Sequence, residues 1–413
     1  MKVYFLVILN FSLCSALKIR KYQKTKVESY EKIEERNEAK SEMQCCTLCS
    51  NTIACEGTKF EDSQCSLVRN IRNTSNTPIL PIWINSEMYT KKSKLLVMNG
   101  HPGNKNSKKT EIIDLKEPES KNCITAKFPY GLKSAFYGMI EPDIPMVCGG
   151  VDPDDKKLHH DNCAMLLSGQ FELSPFKLET KRKLISDSVA TINGSLVAVG
   201  GKNPDDGELK SVEIVSPYQT GKLADLPYPL RGHCVVTIDE NRLIAISGHG
   251  LERSQKDTLV YDLKANQWTP SHQLNIGRVF HACEKFQLGS LEDKSTIIVV
   301  AGGMAPSPGR GDERTETVEF LDLKSDSGWI FGQSLPHTVS SHVLVASPSG
   351  RGVLSVGGFI KDDGNTTGDI YEMSCNGSLN DCEWVTLKQK LKNPRTNFGA
   401  MLIPDNLASE LCN

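Results

Sequence analysis

Six times between Leu96 and Gly358 a short aliphatic run ends in glycine or a glycine pair. The runs are Leu96-Val-Met-Asn-Gly100, Met146-Val-Cys-Gly-Gly150, Val197-Ala-Val-Gly-Gly201, Ile244-Ala-Ile-Ser-Gly248, Val299-Val-Ala-Gly-Gly303 and Leu354-Ser-Val-Gly-Gly358. Their first glycine positions fall at 99, 149, 200, 247, 302 and 357, with Asn99 and Ser247 standing in for glycine, so the unit recurs about every 50 residues. A unit of that length cannot bury an apolar face alone and must stack on copies of itself. Aliphatic and β-branched residues build a buried strand, and the paired glycines let the chain leave it at backbone angles other residues avoid. The chain is therefore expected to be mainly β, with most of its 413 residues in one repeat array.

Most units carry a second strand downstream: Ile113-Asp-Leu115, Tyr261-Asp-Leu263, Leu321-Asp-Leu323 and Tyr371-Glu-Met373. Trp268, Trp329 and Trp384 follow in the last three units. Over residues 93–404 these features resemble Kelch repeats, which implies a six-bladed β-propeller of four-stranded blades. The first unit opens on its glycine-ended strand without an innermost strand before it, whereas Asn397-Phe-Gly-Ala-Met-Leu-Ile403 is an unassigned strand at the other end. Pairing the two closes the ring and removes exposed sheet edges. Residues 405–413 are left as a tail.

The N-terminus points to secretion. Lys2 precedes an apolar run, Val3 to Leu13, and Cys14-Ser15-Ala16 supplies small residues for cleavage, so residues 1–16 are expected to be a signal peptide. Residues 17–40 are a charged leader, expected to turn helical near Tyr30 to Met43. Cys45, Cys46, Cys49, Cys55 and Cys65 then crowd about twenty residues, a density that small extracellular domains use to hold together. With Phe60 and the segment Trp83 to Tyr89, residues 41–92 resemble a PAN/Apple domain, a small disulfide-rich α+β module. The resemblance implies pairing of Cys45 with Cys65 and of Cys49 with Cys55, and binding of proteins or carbohydrates. Cys46 has no counterpart in that pattern. Of 14 cysteines, 13 remain once the leader is removed. An odd number leaves at least one free or bonded to another molecule, and Cys46 is the first candidate, through which a disulfide-linked oligomer could form. Cys375 and Cys382 bracket a short hairpin, and Cys234 and Cys283 hold equivalent places in consecutive units; Cys123, Cys148, Cys163 and Cys412 have no unique pairing. Sequons at Asn73, Asn193, Asn365 and Asn376 fit a secreted glycoprotein.

With 48 basic and 50 acidic residues the net charge is -2, which supplies no field favouring nucleic acid. No later run is apolar enough for a membrane span. In a propeller the loops after each glycine-ended strand share one face with the connections between blades, and recognition is expected there. The candidate binding residues are Asp154, Asp155, His159, His160, Asp205, Asp206, Arg310 and Arg314. Clustered carboxylates at Asp152 to Asp155, Asp205-Asp206 and Asp362-Asp363 could hold a hard cation, but turn chemistry accounts for them equally and an EF-hand spacing is absent. His233, His281 and His342 repeat with the unit, as do Arg231, Arg278 and Arg395, so packing explains them better than a site formed once. No catalytic constellation, metal site or cofactor is expected: the Kelch resemblance also covers secreted galactose-oxidase-like copper oxidases, but the Tyr-His ligand pair these need is missing here, and the sialidase-like Asp326-Ser-Gly-Trp329 occurs once. The expectation is an extracellular binder of a protein or glycan. The alternative is a matrix or coat component cross-linked by disulfides.

Overall fold

In the computed structural model the chain divides into two units, Met1–Tyr89 and Thr90–Asn413. The structure describes residues 92–412 except 102–107, 118–122, 126–127, 141–143, 156, 168, 184–189, 217–218, 252, 290–292, 308, 310 and 361–364; before residue 92 it describes only four strands. These are Phe5–Val7, Val27–Arg36, Gly57–Glu61 and Gln64–Asn73, the first pairing with the third, the third with the fourth and the fourth with the second. The segment expected to be a leader turning helical near Tyr30 thus contains a strand, in which Val27, Tyr30 and Ile33 are strand-favouring types. Cys45, Cys46, Cys49, Cys55 and Arg310 lie outside the described residues, as do the side chains of Cys65 and Asn73.

The second unit is built on six four-stranded antiparallel sheets. Blade 1 is Gly399–Pro404, Lys92–Met98, Thr110–Asp114 and Cys123–Thr125, from the innermost strand outward. The C-terminal strand therefore closes the ring, with Ala400 opposite Val97. Blades 2 to 6 begin at Phe136–Ile140, Thr191–Ile192, Cys234–Thr237, Ala282–Gly289 and Val343–Ala346, each followed by its three outer strands in chain order. The expected tail is a helix, Asp405–Cys412, which buries Ala408 and Leu411 in the cluster between blades 1 and 2.

The glycine-ended strands are apolar along their whole length because both faces are covered. Leu96 and Met98 join the cluster toward blade 2, while Leu95 and Val97 join the cluster toward blade 6. The buried side chains form six such clusters, one between each pair of neighbouring blades. Trp268, Trp329 and Trp384 add a stitch at the rim. Each indole Nε1 donates to a carbonyl just past the preceding blade's outer strand: Ala224 at 2.8 Å, His272 at 2.9 Å and Gln333 at 3.1 Å.

The glycine pairs have two separate reasons to exist. All six first positions lie in the left-handed region, from φ 53° at Gly200 to 66° at Gly149, including Asn99 and Ser247. Ser247 is held there by its hydroxyl, which donates to the Gln255 carbonyl at 2.6 Å and accepts from the Arg278 N–H at 2.9 Å. The second glycine donates its N–H to the segment leading into the next blade, as in Gly150 to Arg182 at 2.7 Å and Gly303 to Val339 at 2.8 Å. A Cβ on Gly303 would sit 2.7 Å from the Val279 carbonyl.

A second pattern has half the frequency of the first. The residues that receive these N–H donations are, in order, Leu132, Arg182, Leu230, Arg278, Val339 and Arg395, so aliphatic and arginine alternate around the ring. Each arginine is fully buried and pairs with a buried glutamate on the third strand of the following blade: Arg182 with Glu213, Arg278 with Glu319 at 2.6 Å, Arg395 with Glu111 at 3.5 Å. Burial pulls each guanidinium below its ordinary pKa, and the facing glutamate opposes that. Arg231, grouped with Arg278 and Arg395 on sequence, sits one position further along. It pairs with Glu208 at the surface, and the true third member is Arg182.

Four disulfides tie the propeller: Cys148–Cys163, Cys234–Cys283, Cys375–Cys382 and Cys123–Cys412. The first joins neighbouring strands of blade 2 and the second joins the innermost strands of blades 4 and 5. The last runs from the outer strand of blade 1 to the C-terminal helix, across 289 residues.

Candidate functional site

Strand direction places the loops after each glycine pair and the inter-blade connections on one face, and pairing across them confirms it. In every blade a connection residue bridges the residue that follows the second glycine: Thr396 with His101, Lys133 with Val151, Lys183 with Lys202, Arg231 with His249, Val279 with Met304 and Ser340 with Phe359. Just after these bridges the chain turns left-handed at Ser134, Gly232, Phe280, Ser341 and Asn397. Backbone hydrogen bonds run between them: Phe280 N to Gly232 O at 2.9 Å, Ser341 N to Phe280 O at 2.8 Å, Asn397 N to Ser341 O at 3.3 Å and Ser134 N to Asn397 O at 3.0 Å. These residues precede the innermost strands, so they form the inner rim of the face. Phe280 is the exception in this series. A bulky side chain at φ 56° is disfavoured, and its half-buried ring packs against Gly232, 3.0 Å from where a Cβ on that glycine would sit.

Blades 3, 4 and 5 carry two-stranded ribbons on this face: Lys202–Asn203 with Gly207–Glu208, His249–Gly250 with Arg253–Ser254, and Met304–Ser307 with Gly311–Arg314. Between the first two, Glu208 accepts from Arg231 Nε at 2.5 Å and lies 3.0 Å from His249 Nδ1. On the third, Arg314 Nε donates to Ser340 Oγ at 3.1 Å and its guanidinium lies over the Phe359 ring.

The candidate residues divide by role. Asp205 is exposed, while Asp206 is engaged in its own turn: its N–H donates to Asn203 Oδ1 at 2.6 Å, and Asn203 Nδ2 donates to its carboxylate at 2.8 Å. Asp154 and Asp155 are exposed, and their N–H groups bond to Asp152 at 2.8 and 3.1 Å, which is turn chemistry. His159 and His160 part company. His159 is buried, while His160 stacks on Tyr130 with ring centroids 4.5 Å apart. Burial lowers the His160 pKa, against the pull of Asp152 and Asp161, and the Tyr130 hydroxyl is pushed up to about 12 by burial and by Asp161. Nothing in the sequence singled out Tyr130 or Phe280.

His233, His281 and His342 are fully buried in the segments leading into blades 4, 5 and 6. His281 Nε2 lies 3.1 Å from the Ile246 carbonyl, and the His342 ring packs on Gly302, as His233 does on Gly200. Burial lowers the pKa of all three, His233 to about 4 and His342 to about 3, so they are neutral packing groups. Among the described residues no cluster of three histidine, cysteine or acidic side chains could hold a metal ion.

Known proteins agree with this architecture. Over 191 residues the chain is 27% identical to Kelch-like protein 40 of Xenopus tropicalis, covering 45% of this chain and 28% of that protein. Over 194 residues it is 27% identical to spermatocyte protein spe-26 of Caenorhabditis elegans, covering 45% and 31%. The propeller is of Kelch type. The matched part is under a third of the length of these relatives. The solved structure of YjhT shares the fold of this Kelch propeller at 13% identity, with a TM-score of 0.54 over 67% of this chain and 91% of that one. No family model matches the chain.

Proposed function

We propose that the chain is a secreted binding protein that recognises an extracellular protein or glycan through the loop face of its Kelch propeller. The observation that carries this reading is the crown of three ribbons on blades 3 to 5. Beyond the one bridge that each makes to the inter-blade connection at its base, their strands pair only with each other, so they extend past what ring closure requires, with Asp205 in the turn of the first and Arg314 at the base of the third. The disulfides support the compartment, because all eight cysteines whose side chains are described are bonded, as suits an oxidising environment. A PAN/Apple-like module over residues 41–92 would add a second contact, and two weak sites on one chain reinforce each other through effective concentration. Asn193 and Asn376 are exposed on turns of the opposite face, so glycans there would leave the ribbons clear; Asn365 is exposed on the loop face of blade 6.

The test is to secrete the chain from Leu17 onward and screen it on arrays of glycans and extracellular proteins. A saturable hit weakened at least tenfold by Asp205→Lys with Arg314→Glu, the fold unchanged, supports the reading. A hit indifferent to both substitutions moves the site off the ribbons.

The disulfides also favour a second reading. With eight cysteines bonded within the propeller, the odd one falls among Cys45, Cys46, Cys49, Cys55 and Cys65. A matrix component cross-linked through that thiol would run as oligomers on a non-reducing gel and as monomers after reduction, and Cys46→Ser would abolish the oligomers.

A further inference from the structure

The ring closes twice, once by pairing and once by a covalent bond. Gly399–Pro404 pairs with Lys92–Met98 along its whole length. The chain then enters the helix Asp405–Cys412 without a linker, and the last helical residue is bonded to Cys123 on the outermost strand of the same blade. Asp405 holds the start of this helix to the sheet, accepting from Ser93 Oγ at 2.8 Å and from Lys116 Nζ at 3.2 Å. Innermost and outermost strands of blade 1 are thus buckled together across the two strands between them.

The four bonds differ sharply in access. Cys148, Cys163 and Cys234 are 0% exposed, Cys375 and Cys382 3% and Cys283 7%, whereas Cys412 is exposed and Cys123 half-buried. Thiol–disulfide exchange requires a thiolate to reach one sulfur, so exposure orders the four bonds by rate. The seam also leads to the loop face: the closing strand follows Arg395, Thr396 and Asn397, of which Thr396 bridges His101 and Asn397 accepts from Ser134 on the rim.

We propose that the Cys123–Cys412 disulfide is a redox latch on the propeller seam, opened by a dithiol reductant while the other three bonds stay closed. One thiolate of the dithiol attacks Cys412 Sγ, the bond to Cys123 breaks, and Cys123 leaves as a thiolate that takes up a proton. The second reductant thiol then displaces Cys412 from the mixed disulfide, so the reductant leaves oxidised and both cysteines leave as thiols. Release of the helix end loosens the pairing of Gly399–Pro404 with Lys92–Met98 and, through Thr396 and Asn397, the rim between blades 6 and 1. The proposal rests on the oxidising compartment inferred above but not on any partner.

The full chain, secreted and oxidised, is treated with increasing dithiothreitol under native conditions, quenched with acid, alkylated and mapped by mass spectrometry; hydrogen exchange is followed in parallel. The expected result is labelling of Cys123 and Cys412 at least ten times faster than of the six buried cysteines, with faster exchange at 92–98 and 399–412 in the same step. Cys412→Ser should reproduce that exchange pattern without reductant, and if the variant is not secreted the wild-type titration decides alone. Simultaneous labelling of the four pairs, or early labelling with unchanged exchange at the seam, overturns the latch. If all eight cysteines alkylate before any reductant is added, the oxidising-compartment reading fails as well, which separates the two.

Discussion

Replacing Arg278 by leucine tests why arginine and aliphatic residues alternate between blades. Arg278 and Glu319 are both 0% exposed. The guanidinium also donates through Nη1 to the Gly302 carbonyl at 3.1 Å and the Thr317 carbonyl at 2.9 Å. The substitution leaves a buried carboxylate without its cation, which costs about 3–5 kcal/mol. The two bereft carbonyls act in the same direction at roughly 1–3 kcal/mol each when water cannot reach them, with overlap between the effects. A loss of at least about 4 kcal/mol is therefore expected for Arg278→Leu. Blade 4 shows the apolar solution, with Leu230 in the arginine position and Leu259 in the glutamate position. Arg278→Leu with Glu319→Leu copies it and removes the stranded charge. Recovery should still be partial, because Glu319 accepts from the Asn275 backbone at 2.7 Å, its side chain at 2.9 Å and the Ile276 N–H at 3.3 Å. The assay is urea unfolding of both single variants and the double, read as a double-mutant cycle, with an expected coupling above about 1.5 kcal/mol. A single variant costing under about 1 kcal/mol, or a double costing the sum of the singles, would refute the reasoning and leave the alternation without energetic meaning.

Acid should destabilise the fold through its buried histidines. Their folded pKa values lie below the free value near 6.5, so the unfolded chain binds protons first; the stability is fully present above about pH 6.5 and drains as pH falls toward 4, the folded value of His233. The urea midpoint should drop between pH 7 and 4.5, and His342→Phe, copying Phe398 of blade 1, should flatten that slope; an unchanged slope refutes the assignment. Gly303→Ala should cost more than about 2 kcal/mol, since it adds steric conflict to left-handed strain, whereas Gly207→Ala, at φ 74° with nothing within 4 Å of the new carbon, should cost only about 1 kcal/mol. Phe280→Asn should preserve or raise stability by up to about 1 kcal/mol, because asparagine tolerates the left-handed region. If it also weakens whatever partner the arrays identify, Phe280 is a contact residue; a fall in stability would make it a packing residue.

The repeat was legible in the sequence because each of its signals is local. A glycine pair, a tryptophan on an outer strand and the leftover strand near Phe398 each carry their meaning within a few residues. The arginine series was read one position out at Arg231, since the partner that defines it lies 31 to 41 residues ahead, as Glu213 does for Arg182 and Glu319 for Arg278. A sequence signal existed in Thr110-Glu-Ile, Val212-Glu-Ile and Val318-Glu-Phe, third strands that place a charge where a buried strand should not. The Cys123–Cys412 bond had no such signal, because neither cysteine belongs to the repeat and only ring closure brings them together.

The candidate site is less legible for a reason that follows from the architecture. Repetition specifies the ring, so residues that obey it report on packing, and the three buried histidines and three buried arginines do so. On the proposed reading, recognition is expected where a repeated position holds an unrepeated residue. Around the inner rim, serine, glycine and asparagine fill the left-handed position and Phe280 breaks the series. In the blade 2 loop, adjacent histidines of identical chemistry take opposite roles, His159 inside and His160 stacked on Tyr130 at the face. No local pattern distinguishes such residues beforehand, because what sets them apart is the backbone angle or the neighbour that the closed ring imposes.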